Sequence, residues 1–386
     1  MRNLTKVIVL IPSTVSYGRG LLRGIAKYSR LHGPWAFFSE RGEPDKVVAS
    51  LKNWGAKGII THIPDPMTPQ SIIPKGLPAV VLALKNQIPG FPNIIGDWEN
   101  DGKIAAEYFI NRGFRNFAYC SFSNLDWSRI RGLSFQAALK ERGYDIHLYE
   151  EPYVGLHKHW EREQEHLAEW LESLPKPIAI MACNDERGKH VLEACKLADL
   201  CVPEQVAVLG VDDDETICEL TGPPLSSIAV NTEKAGYEAA ALLDRMMKGE
   251  KGPFEDVIVQ TLQVTTRQST DILAIEDEVV AKALQFIRMN AKKPIQVEDV
   301  ADTLAMHRRG LERRFTKYLG RSIHEEIRRV RVEEISKLLL ETNLPISHIS
   351  TMLNFHEVPH MTRFFTRETG ISPLEYRKQR LGTITG

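Results

Sequence analysis

The chain has 386 residues, of which 43% are hydrophobic and 26% are charged, a composition typical of an ordinary globular protein. This length exceeds one average domain and predicts two or three. The formal net charge of −1 conceals an asymmetry, because residues 277–382 hold 19 Lys and Arg against 14 Asp and Glu while the remainder is acidic. A basic C-terminal segment indicates a place for nucleic acid, and the acidic remainder argues against a protein that coats DNA.

The cysteines and the N-terminus exclude several classes of protein. Five cysteines, without a Cys-x-x-Cys pair or clustered histidines, predict reduced thiols and neither a metal site nor a catalytic thiol. The N-terminal apolar run is too short for a signal peptide, and no segment is apolar enough to cross a bilayer. We therefore expect a cytoplasmic protein with no cofactor and no membrane partner.

Residues 6–270 alternate short apolar runs with amphipathic helical patterns. Val7–Ile11 is typical of a buried parallel strand, and a helix is predicted over Gly18–Leu31. The other predicted strands are Trp35–Ser39, Gly58–His62, Ala79–Leu82, Asn93–Ile95, Asn116–Cys120, Ile178–Ala182 and Val206–Gly210. The other predicted helices are Pro44–Trp54, Asp101–Arg112, Arg129–Arg142, Trp160–Leu174, Glu186–Ala198 and Thr232–Lys248. Repeated βα units predict parallel sheets, and their number suits two doubly wound lobes better than one.

Polar side chains follow several of these strands. In doubly wound sheets ligands bind beyond the carboxyl ends of the strands, and a two-lobed arrangement collects those ends in a cleft. Asp, Asn and Arg pair with adjacent hydroxyls of a neutral polyol, and aromatic rings cover its C–H surface. The candidate ligand residues are Ser13, Tyr17, Arg19, Trp98, Trp127, Arg131, Asn184, Asp185 and Asp212. Trp98 and Trp127 have an alternative role in the core. Asp97 and Asp101 have an alternative role as helix caps, which we favour for Asp101.

The segment Val297–Arg380 contains one pattern twice. Six residues recur at a constant offset of 49, namely Val297, Val300, Ala301, Leu304, Leu311 and Phe315 as Ile346, Ile349, Ser350, Leu353, His360 and Phe364. Apolar residues at i, i+3 and i+7, with a small residue where a partner helix approaches, predict a helix-turn-helix in each copy. The second helices are expected over His307–Tyr318 and Glu357–Thr369, with a long amphipathic helix over Ser322–Glu341 between the copies.

The repeat resembles the DNA-binding domain of AraC/XylS-type transcription activators. The segment Arg363-Phe-Phe-Thr-Arg-Glu-Thr-Gly-Ile-Ser-Pro-Leu-Glu-Tyr-Arg377 resembles their C-terminal signature, and Leu311-x-Arg313-x-Phe315 with Gly320-x-Ser322 resembles the matching part of the first helix-turn-helix. The resemblance covers about a quarter of the chain. It implies two recognition helices in successive major-groove segments. The residues it places against bases or phosphates are Arg308, Arg309, Glu312, Arg313, Val358, Pro359, Thr362 and Arg363.

Pro359 departs from the more usual polar residue of that family, which leaves the second helix with fewer hydrogen-bond donors. For any single arginine of the set, a solvated helix face or an intrahelical ion pair is the competing interpretation.

Most of the first 270 residues resemble the sensor domains of LacI/GalR-type regulators, which are similar to periplasmic sugar-binding proteins. The motifs, in family order, are Ile95-Gly-Asp97-Trp98-x-x-Asp101-Gly102, Arg131-x-x-x-Phe135-x-x-Ala138-Leu139, Asn184-Asp185, Val208-Leu-Gly-Val-Asp212-Asp213 and Pro223-Pro-Leu-Ser-Ser-Ile228. The resemblance places Asp212 and Arg131 in the cleft. A LacI-like sensor joined to an AraC-like DNA-binding domain resembles the organisation of XylR-type xylose operon regulators, as does the spacing of Trp127 and Arg131.

These patterns and resemblances predict three segments. Residues 1–270 form an α/β, two-lobed, doubly wound, periplasmic-binding-protein-like sensor, residues 271–276 a linker, and residues 277–382 an all-α domain with two helix-turn-helix motifs. The chain is expected to cross between the lobes near Trp98–Asp101, Ser227–Asn231 and Gln260–Thr265.

The predicted function is that of a sugar-responsive transcription regulator, an activator of D-xylose catabolism genes. Its expected partners are operator DNA, the sugar, RNA polymerase and a second copy of the chain in a homodimer. The alternatives are a regulator with another pentose, a hexose or a non-sugar effector, a transport binding protein, and a sugar-modifying α/β enzyme. No Gly-rich phosphate loop, Gly-x-Ser-x-Gly or His-Glu-x-x-His supports the enzyme.

Overall fold

The structure is a computed structural model that describes residues 4–38, 54–63, 68–83, 87–152, 160–272, 274–275 and 277–381. The chain divides into two compact units, Met1–Tyr108 with Asn116–Asp271, and Phe109–Arg115 with Ile272–Gly386. The predicted helix Pro44–Trp54 lies outside the described residues except for Trp54.

The first unit contains two sheets, and the first has six strands in the order β11-β5-β4-β3-β1-β2 among the described residues, all parallel. Its strands are β1 (Thr5–Leu10), β2 (Trp35–Phe38), β3 (Gly58–His62), β4 (Ala79–Leu82), β5 (Asn93–Gly96) and β11 (Val257–Val259). The helices of this lobe within the described residues are α1 (Ser16–His32), α2 (Pro69–Ile72) and α8 (Thr232–Met247). Apolar residues of β1, α1 and α8 form one buried cluster, which fixes the position of the loop after β1.

The two long helices of this lobe meet backbone to backbone. A Cβ atom added to Gly24 of α1 would lie 2.0 Å from the carbonyl oxygen of Glu233, and one added to Gly236 of α8 would lie 2.1 Å from the carbonyl oxygen of Leu21. Only glycine permits this approach, so these residues set how closely α1 and α8 pack.

The second sheet has six described strands in the order β12-β10-β9-β8-β6-β7, parallel except for the β10–β12 pair. Its strands are β6 (Asn116–Phe122), β7 (Ile146–Glu151), β8 (Ile178–Ala182), β9 (Val206–Val211), β10 (Ser226–Val230) and β12 (Thr261–Thr265). The helices are α3 (Trp98–Asn111), α4 (Asp126–Lys140), α5 (Trp160–Ser173), α6 (Asp185–Leu197) and α7 (Glu215–Leu220), followed by a 3₁₀ turn at Gln268–Thr270. Every residue of β8 and β9 is buried, as their apolar runs predict.

Three crossings join the two lobes of this unit. They follow β5, β10 and β11, at Asp97, Asn231 and Gln260, beside or within the three predicted crossing segments. Parallel strands of both lobes therefore direct their carboxyl ends toward the region next to these crossings.

Four strands were missing from the sequence prediction, namely β7, β10, β11 and β12. β7 is an edge strand with the sequence Ile-His-Leu-Tyr-Glu-Glu, in which three residues are exposed. β10 begins with the buried residues Ser226 and Ser227, whose hydroxyls donate hydrogen bonds to the carbonyl oxygen of Arg267 and to Asp185. These hydrogen bonds stabilise the polar start of β10, and a hydrophobic pattern does not reveal it.

The second unit is helical in its C-terminal part. Its helices are α9 (Glu278–Met289), α10 (Val297–Thr303), α11 (Arg308–Leu319), α12 (Ile323–Glu341), α13 (Ile346–Met352), α14 (Val358–Thr369) and α15 (Pro373–Leu381). There are two apolar cores: one holds α9 to α11 and the first half of α12, and the other holds the second half of α12, α13 and α14. The long helix α12 thus joins two helix-turn-helix motifs, α10–α11 and α13–α14.

The constant offset of 49 was wrong for the second half of each motif. The offset holds through Ala305 and Asn354, which both adopt positive φ angles (51° and 53°) in the turns. The second turn then has one extra residue, so Leu311 and Phe315 correspond to Met361 and Phe365, an offset of 50. One residue rotates a helix by about 100°. As a result His360 is exposed and Phe364 is half-buried, whereas Met361 and Phe365 are fully buried.

Candidate functional sites

A cavity of about 170 Å³ lies in the first unit, near the crossings between its lobes. Its lining residues are Pro12, Val15, Tyr17, Gly18, Leu82, Ala83, Trp98, Trp127, Arg131, Asn184 and Asp212. Six of these are predicted ligand residues: Tyr17, Trp98, Trp127, Arg131, Asn184 and Asp212. Proteins usually bind drug-sized ligands in pockets of about 300–1,000 Å³, so this cavity suits a smaller molecule.

The polar lining residues follow the carboxyl ends of strands. Tyr17 lies in the first turn of α1 after β1, and Trp98 begins α3 after β5. Asn184 follows β8 and caps α6, because its Oδ1 accepts a hydrogen bond from the backbone N–H of Arg187 at 2.9 Å. Asp212 follows β9 directly. The doubly wound topology therefore gathers residues that are far apart in sequence.

Arg131 is held from three sides. Its Nε donates to Asp101 Oδ2 at 2.6 Å, its Nη1 donates to the carbonyl oxygen of Cys183 at 2.7 Å, and its Nη2 lies 3.6 Å from Asp212 Oδ1. The guanidinium carbon lies 5.2 Å from the centre of the Trp127 ring. Burial lowers the pKa of Arg131, but the charges of Asp101 and Asp212 outweigh it and raise the pKa above its ordinary value. The side chain is therefore cationic and fixed in direction.

Asp212 has an unsatisfied acceptor. Its Oδ1 has no hydrogen-bond partner among the described residues although the atom is buried, and its backbone adopts φ 104°, a left-handed conformation unusual for a residue other than glycine. Burial raises the pKa of Asp212 to about 6, a shift that Arg131 opposes and Asp101 reinforces. A buried acceptor beside a fixed cation is a place for a hydroxyl group.

Three predicted ligand residues do not line the cavity. Arg19 donates from Nη2 to Asp214 Oδ2 at 3.0 Å and from Nη1 to the carbonyl oxygen of Thr14 at 2.8 Å. Asp185 is 2% exposed and accepts hydrogen bonds from the Ser227 hydroxyl and from the backbone N–H of Asp214. Ser13 offers its carbonyl oxygen to Arg19 at 3.4 Å. The expectation for these three rested on their position after a strand, which does not fix the direction of a side chain.

Sequence reasoning also missed contributors to the site. Asp101, for which we favoured a capping role, is 1% exposed, pairs with Arg131, and accepts from the Thr261 hydroxyl at 2.6 Å. The apolar lining residues could not be recognised in the sequence, because the search for ligand residues looked for polar and aromatic side chains after strands. They are Pro12, Val15, Gly18, Leu82 and Ala83.

The second candidate site is the pair of recognition helices, α11 and α14. In α11, Arg309 and Arg313 are exposed, and neither pairs with a carboxylate among the described residues. Arg308 is also exposed, but its Nη1 lies 2.6 Å from Glu298 Oε1. Glu312 is half-buried, and its Oε2 lies 3.3 Å from the backbone nitrogen of Ile323 at the start of α12. Glu312 thus has an intramolecular partner where sequence reasoning placed a DNA contact.

The predicted residues of α14 occupy the equivalent positions at the offset of 50. Val358 and Pro359 are the first two residues of the helix, Pro359 is exposed, and Val358 is half-buried. Thr362 is half-buried, and Arg363 is exposed with its Nε 3.4 Å from the carbonyl oxygen of Pro359. Both recognition helices end at a glycine with positive φ, Gly320 and Gly370.

Comparisons with known proteins match both units. Residues 106–270 match a periplasmic binding protein-like domain family, and residues 300–379 match a helix-turn-helix domain family. Over 96% of its length the chain is 29% identical to the xylose operon regulatory protein of Escherichia coli K12, of which the match covers 96%. It is 28% identical to the xylose operon regulatory protein of Haemophilus influenzae over 96% of this chain and 98% of that protein.

The chain is therefore similar over almost its whole length to these xylose operon regulatory proteins. The solved structure of a xylose-binding transcription activator matches 98% of this chain and 99% of its own, with 27% identity and a TM-score of 0.63. A LacI-type regulator from Alkaliphilus metalliredigens in complex with D-xylulofuranose matches 69% of this chain with 19% identity and a TM-score of 0.57, a likeness of fold alone. The predicted fold class is confirmed, and so is the resemblance to XylR-type regulators.

Two further observations limit the chemistry of the described residues. No group of three or more His, Cys, Asp or Glu side chains within the described ranges is arranged to hold a metal ion. No helix in the described part of the chain is both long enough and apolar enough to cross a bilayer.

Proposed function

We propose that this protein is a transcription regulator that binds D-xylose in the cavity and operator DNA through α11 and α14, and that it activates D-xylose catabolism genes. The observation that carries the proposal is the combination, in one chain, of a small cavity suited to a polyol with two helix-turn-helix motifs. The homologous xylose operon regulatory proteins support both halves over almost the whole chain.

The cavity has the groups that a monosaccharide requires. Asp212 Oδ1 accepts a hydrogen bond from one hydroxyl, and the nearby Nη2 of Arg131 donates to the oxygen of a neighbouring hydroxyl. Asn184 and Tyr17 supply further polar atoms. Trp98 and Trp127 cover the C–H surface of the ring. A neutral sugar fits better than a sugar phosphate, because Arg131 is the only Lys or Arg among the lining residues and two carboxylates already accompany it.

The basic recognition helix α11 supplies the main DNA contacts, through Arg309 and Arg313. Arginine forks bind the O6 and N7 atoms of guanine and the phosphates of the backbone. Residues 1–270 act as the sensor, residues 271–276 as the linker and residues 277–382 as the DNA-binding domain. The regulator acts in the cytoplasm as a homodimer and contacts RNA polymerase. The sugar shifts the activity only as far as it binds one conformation of the sensor more tightly than another.

Isothermal titration calorimetry of the full chain tests the proposed sugar binding. The ligands are D-xylose, L-arabinose, D-ribose, D-glucose and D-xylose 5-phosphate. We expect selective binding of D-xylose that Asp212→Ala and Arg131→Ala abolish. Asp126→Ala is the matched control, since Asp126 forms an exposed ion pair with Arg129 on the helix that carries Arg131. Tighter binding of another sugar would identify that sugar as the effector. Binding of none of these sugars would contradict the sugar-sensing function.

A further inference from the structure

The two recognition helices present different chemistry at equivalent positions. The correspondence is fixed by the buried pairs Leu311 with Met361 and Phe315 with Phe365, all at an offset of 50. At this offset the first two residues of α11, Arg308 and Arg309, correspond to Val358 and Pro359 in α14. The first two residues of α14 therefore present hydrocarbon where the first two residues of α11 present guanidinium groups.

α11 also carries more positive charge than α14. α11 carries five Lys or Arg residues and one Glu, whereas α14 carries two Arg residues and one Glu. One of the two arginines of α14, Arg367, has its Nε 3.0 Å from Glu368 Oε1. The remaining arginine, Arg363, lies one turn after Val358 and Pro359, with its Nε 3.4 Å from the Pro359 carbonyl oxygen. At its first two positions α14 thus has no side-chain group that could hydrogen-bond to a base edge, although His360, the third residue, is exposed. The N-terminal end of this helix is the end that enters the groove in helix-turn-helix proteins.

The base that fits such a surface is thymine. In the major groove guanine, adenine and cytosine present hydrogen-bonding groups, and thymine adds a C5-methyl group that takes apolar contacts. Valine and proline side chains placed against the polar edge of another base would leave its donors or acceptors unpaired, which is unfavourable. Resting on the proposed DNA-binding function, we infer that Val358 and Pro359 read thymine methyl groups in one segment of the operator, whereas Arg309 and Arg313 read guanine in the neighbouring segment.

The test uses the full chain with D-xylose present and a duplex selected by the protein from a randomised library. Each thymine of the selected duplex is replaced in turn by deoxyuridine, which removes only the methyl group, and the dissociation constant is measured by fluorescence anisotropy. At the segment under α14 we expect a loss of about fourfold per methyl, from about 0.8 kcal/mol per buried carbon group. Replacing guanine by 7-deazaguanine, which lacks the N7 acceptor, weakens binding only in the other segment.

Three variants assign the effects to residues. Val358→Ala and Pro359→Ala each reduce the deoxyuridine effect while the 7-deazaguanine effect persists. Arg309→Ala removes the 7-deazaguanine effect at the guanine that Arg309 contacts, and the deoxyuridine effect persists. These side chains are exposed or half-buried, so an unchanged melting temperature and unchanged xylose affinity show that the variants fold.

The outcomes separate this inference from the proposed function. The inference is overturned if no deoxyuridine substitution changes the dissociation constant, or if the deoxyuridine effect is undiminished in both Val358→Ala and Pro359→Ala. Either result leaves DNA binding intact. Failure to select any duplex removes the DNA-binding function and the inference with it.

Discussion

The Nε atom of Arg131 lies 2.6 Å from Oδ2 of Asp101, and both side chains are almost completely buried. The other oxygen of Asp101 accepts from the Thr261 hydroxyl at 2.6 Å. Asp101 and Thr261 stand next to two of the crossings between the lobes, and Arg131 faces the cavity. The ion pair therefore links two of the crossing segments between the lobes to the side chain that we propose binds the sugar.

Asp101→Asn removes the charge of this pair and preserves its shape. We expect the free energy of unfolding to fall by roughly 3 kcal/mol, because breaking a buried pair leaves an uncompensated charge, here partly balanced by Asp212. Sugar affinity falls as well, since Arg131 is then free to turn toward Asp212 and occupy its acceptor. Urea unfolding and isothermal titration measure the two effects. The control Asp126→Asn, at an exposed ion pair, changes stability by less than about 1 kcal/mol.

Sugar binding depends on pH through Asp212. Burial raises the pKa of this carboxyl to about 6, and the charged or titratable groups around it are Arg131, Asp101, Asp214, Tyr17 and Asp185. A hydrogen bond from a sugar hydroxyl is stronger to the carboxylate than to the neutral acid, so affinity is highest above pH 7 and weakens as the pH falls through 6.

The same shift has the opposite effect on folding. Between the ordinary Asp pKa and about 6 the folded state binds the proton more readily, so Asp212 lowers stability progressively as pH rises through that window. Titrations with sugar from pH 5 to 8 test the first effect. Asp212→Asn must remove the pH dependence over this window; its persistence in that variant would assign it to another group.

Trp127 contributes affinity through its ring. The ring lies 5.2 Å from the guanidinium carbon of Arg131 and lines the cavity. We expect Trp127→Leu to weaken sugar binding by about 2- to 30-fold, from roughly 0.5–2 kcal/mol of cation–π contact. Trp170→Leu, which removes a ring tilted against Tyr149 and outside the lining of the cavity, leaves the affinity unchanged in the same titration.

Arg309 and Arg308 are predicted to differ in DNA binding although they are neighbours. Arg309 has no carboxylate partner among the described residues, whereas Arg308 pairs with Glu298 at 2.6 Å. Arg309→Ala is expected to cost about 1–3 kcal/mol of binding free energy at a selected duplex. Arg308→Ala costs less, because part of its charge is already neutralised. Anisotropy titrations at several salt concentrations compare the two, and equal losses would contradict the assignment.

Substitution of two glycines by alanine should change stability in opposite directions. Gly24→Ala would place a Cβ 2.0 Å from the Glu233 carbonyl oxygen, so α1 and α8 must separate, at a cost of about 1–3 kcal/mol. In α11 a Cβ at Gly310 meets only Met306 Cε at 3.7 Å, and alanine stabilises a helix by about 1 kcal/mol relative to glycine. Thermal unfolding should show a lower melting temperature for Gly24→Ala than for the unsubstituted protein, and an equal or higher one for Gly310→Ala.

The class of fold and the two helix-turn-helix motifs could be predicted from the amino-acid pattern alone. Apolar runs alternating with amphipathic helices specify parallel sheets, because strands buried on both faces must be apolar throughout. The strand ends also indicated six of the lining residues, since topology alone brings the carboxyl ends of parallel strands together.

Only the tertiary structure decided which way individual side chains face. Asn184 and Asp185 are adjacent, yet one lines the cavity and the other hydrogen-bonds to Ser227. In the sequence Asp101 looks like an ordinary helix-capping aspartate. In the folded chain its carboxylate pairs with Arg131, which is 30 positions away. One extra residue in the second turn replaced His360 and Phe364 by Met361 and Phe365 in the core, because a helix turns through about 100° at each residue. Spacing along a chain therefore predicts elements and their order, whereas the partner of a polar side chain depends on packing between distant segments.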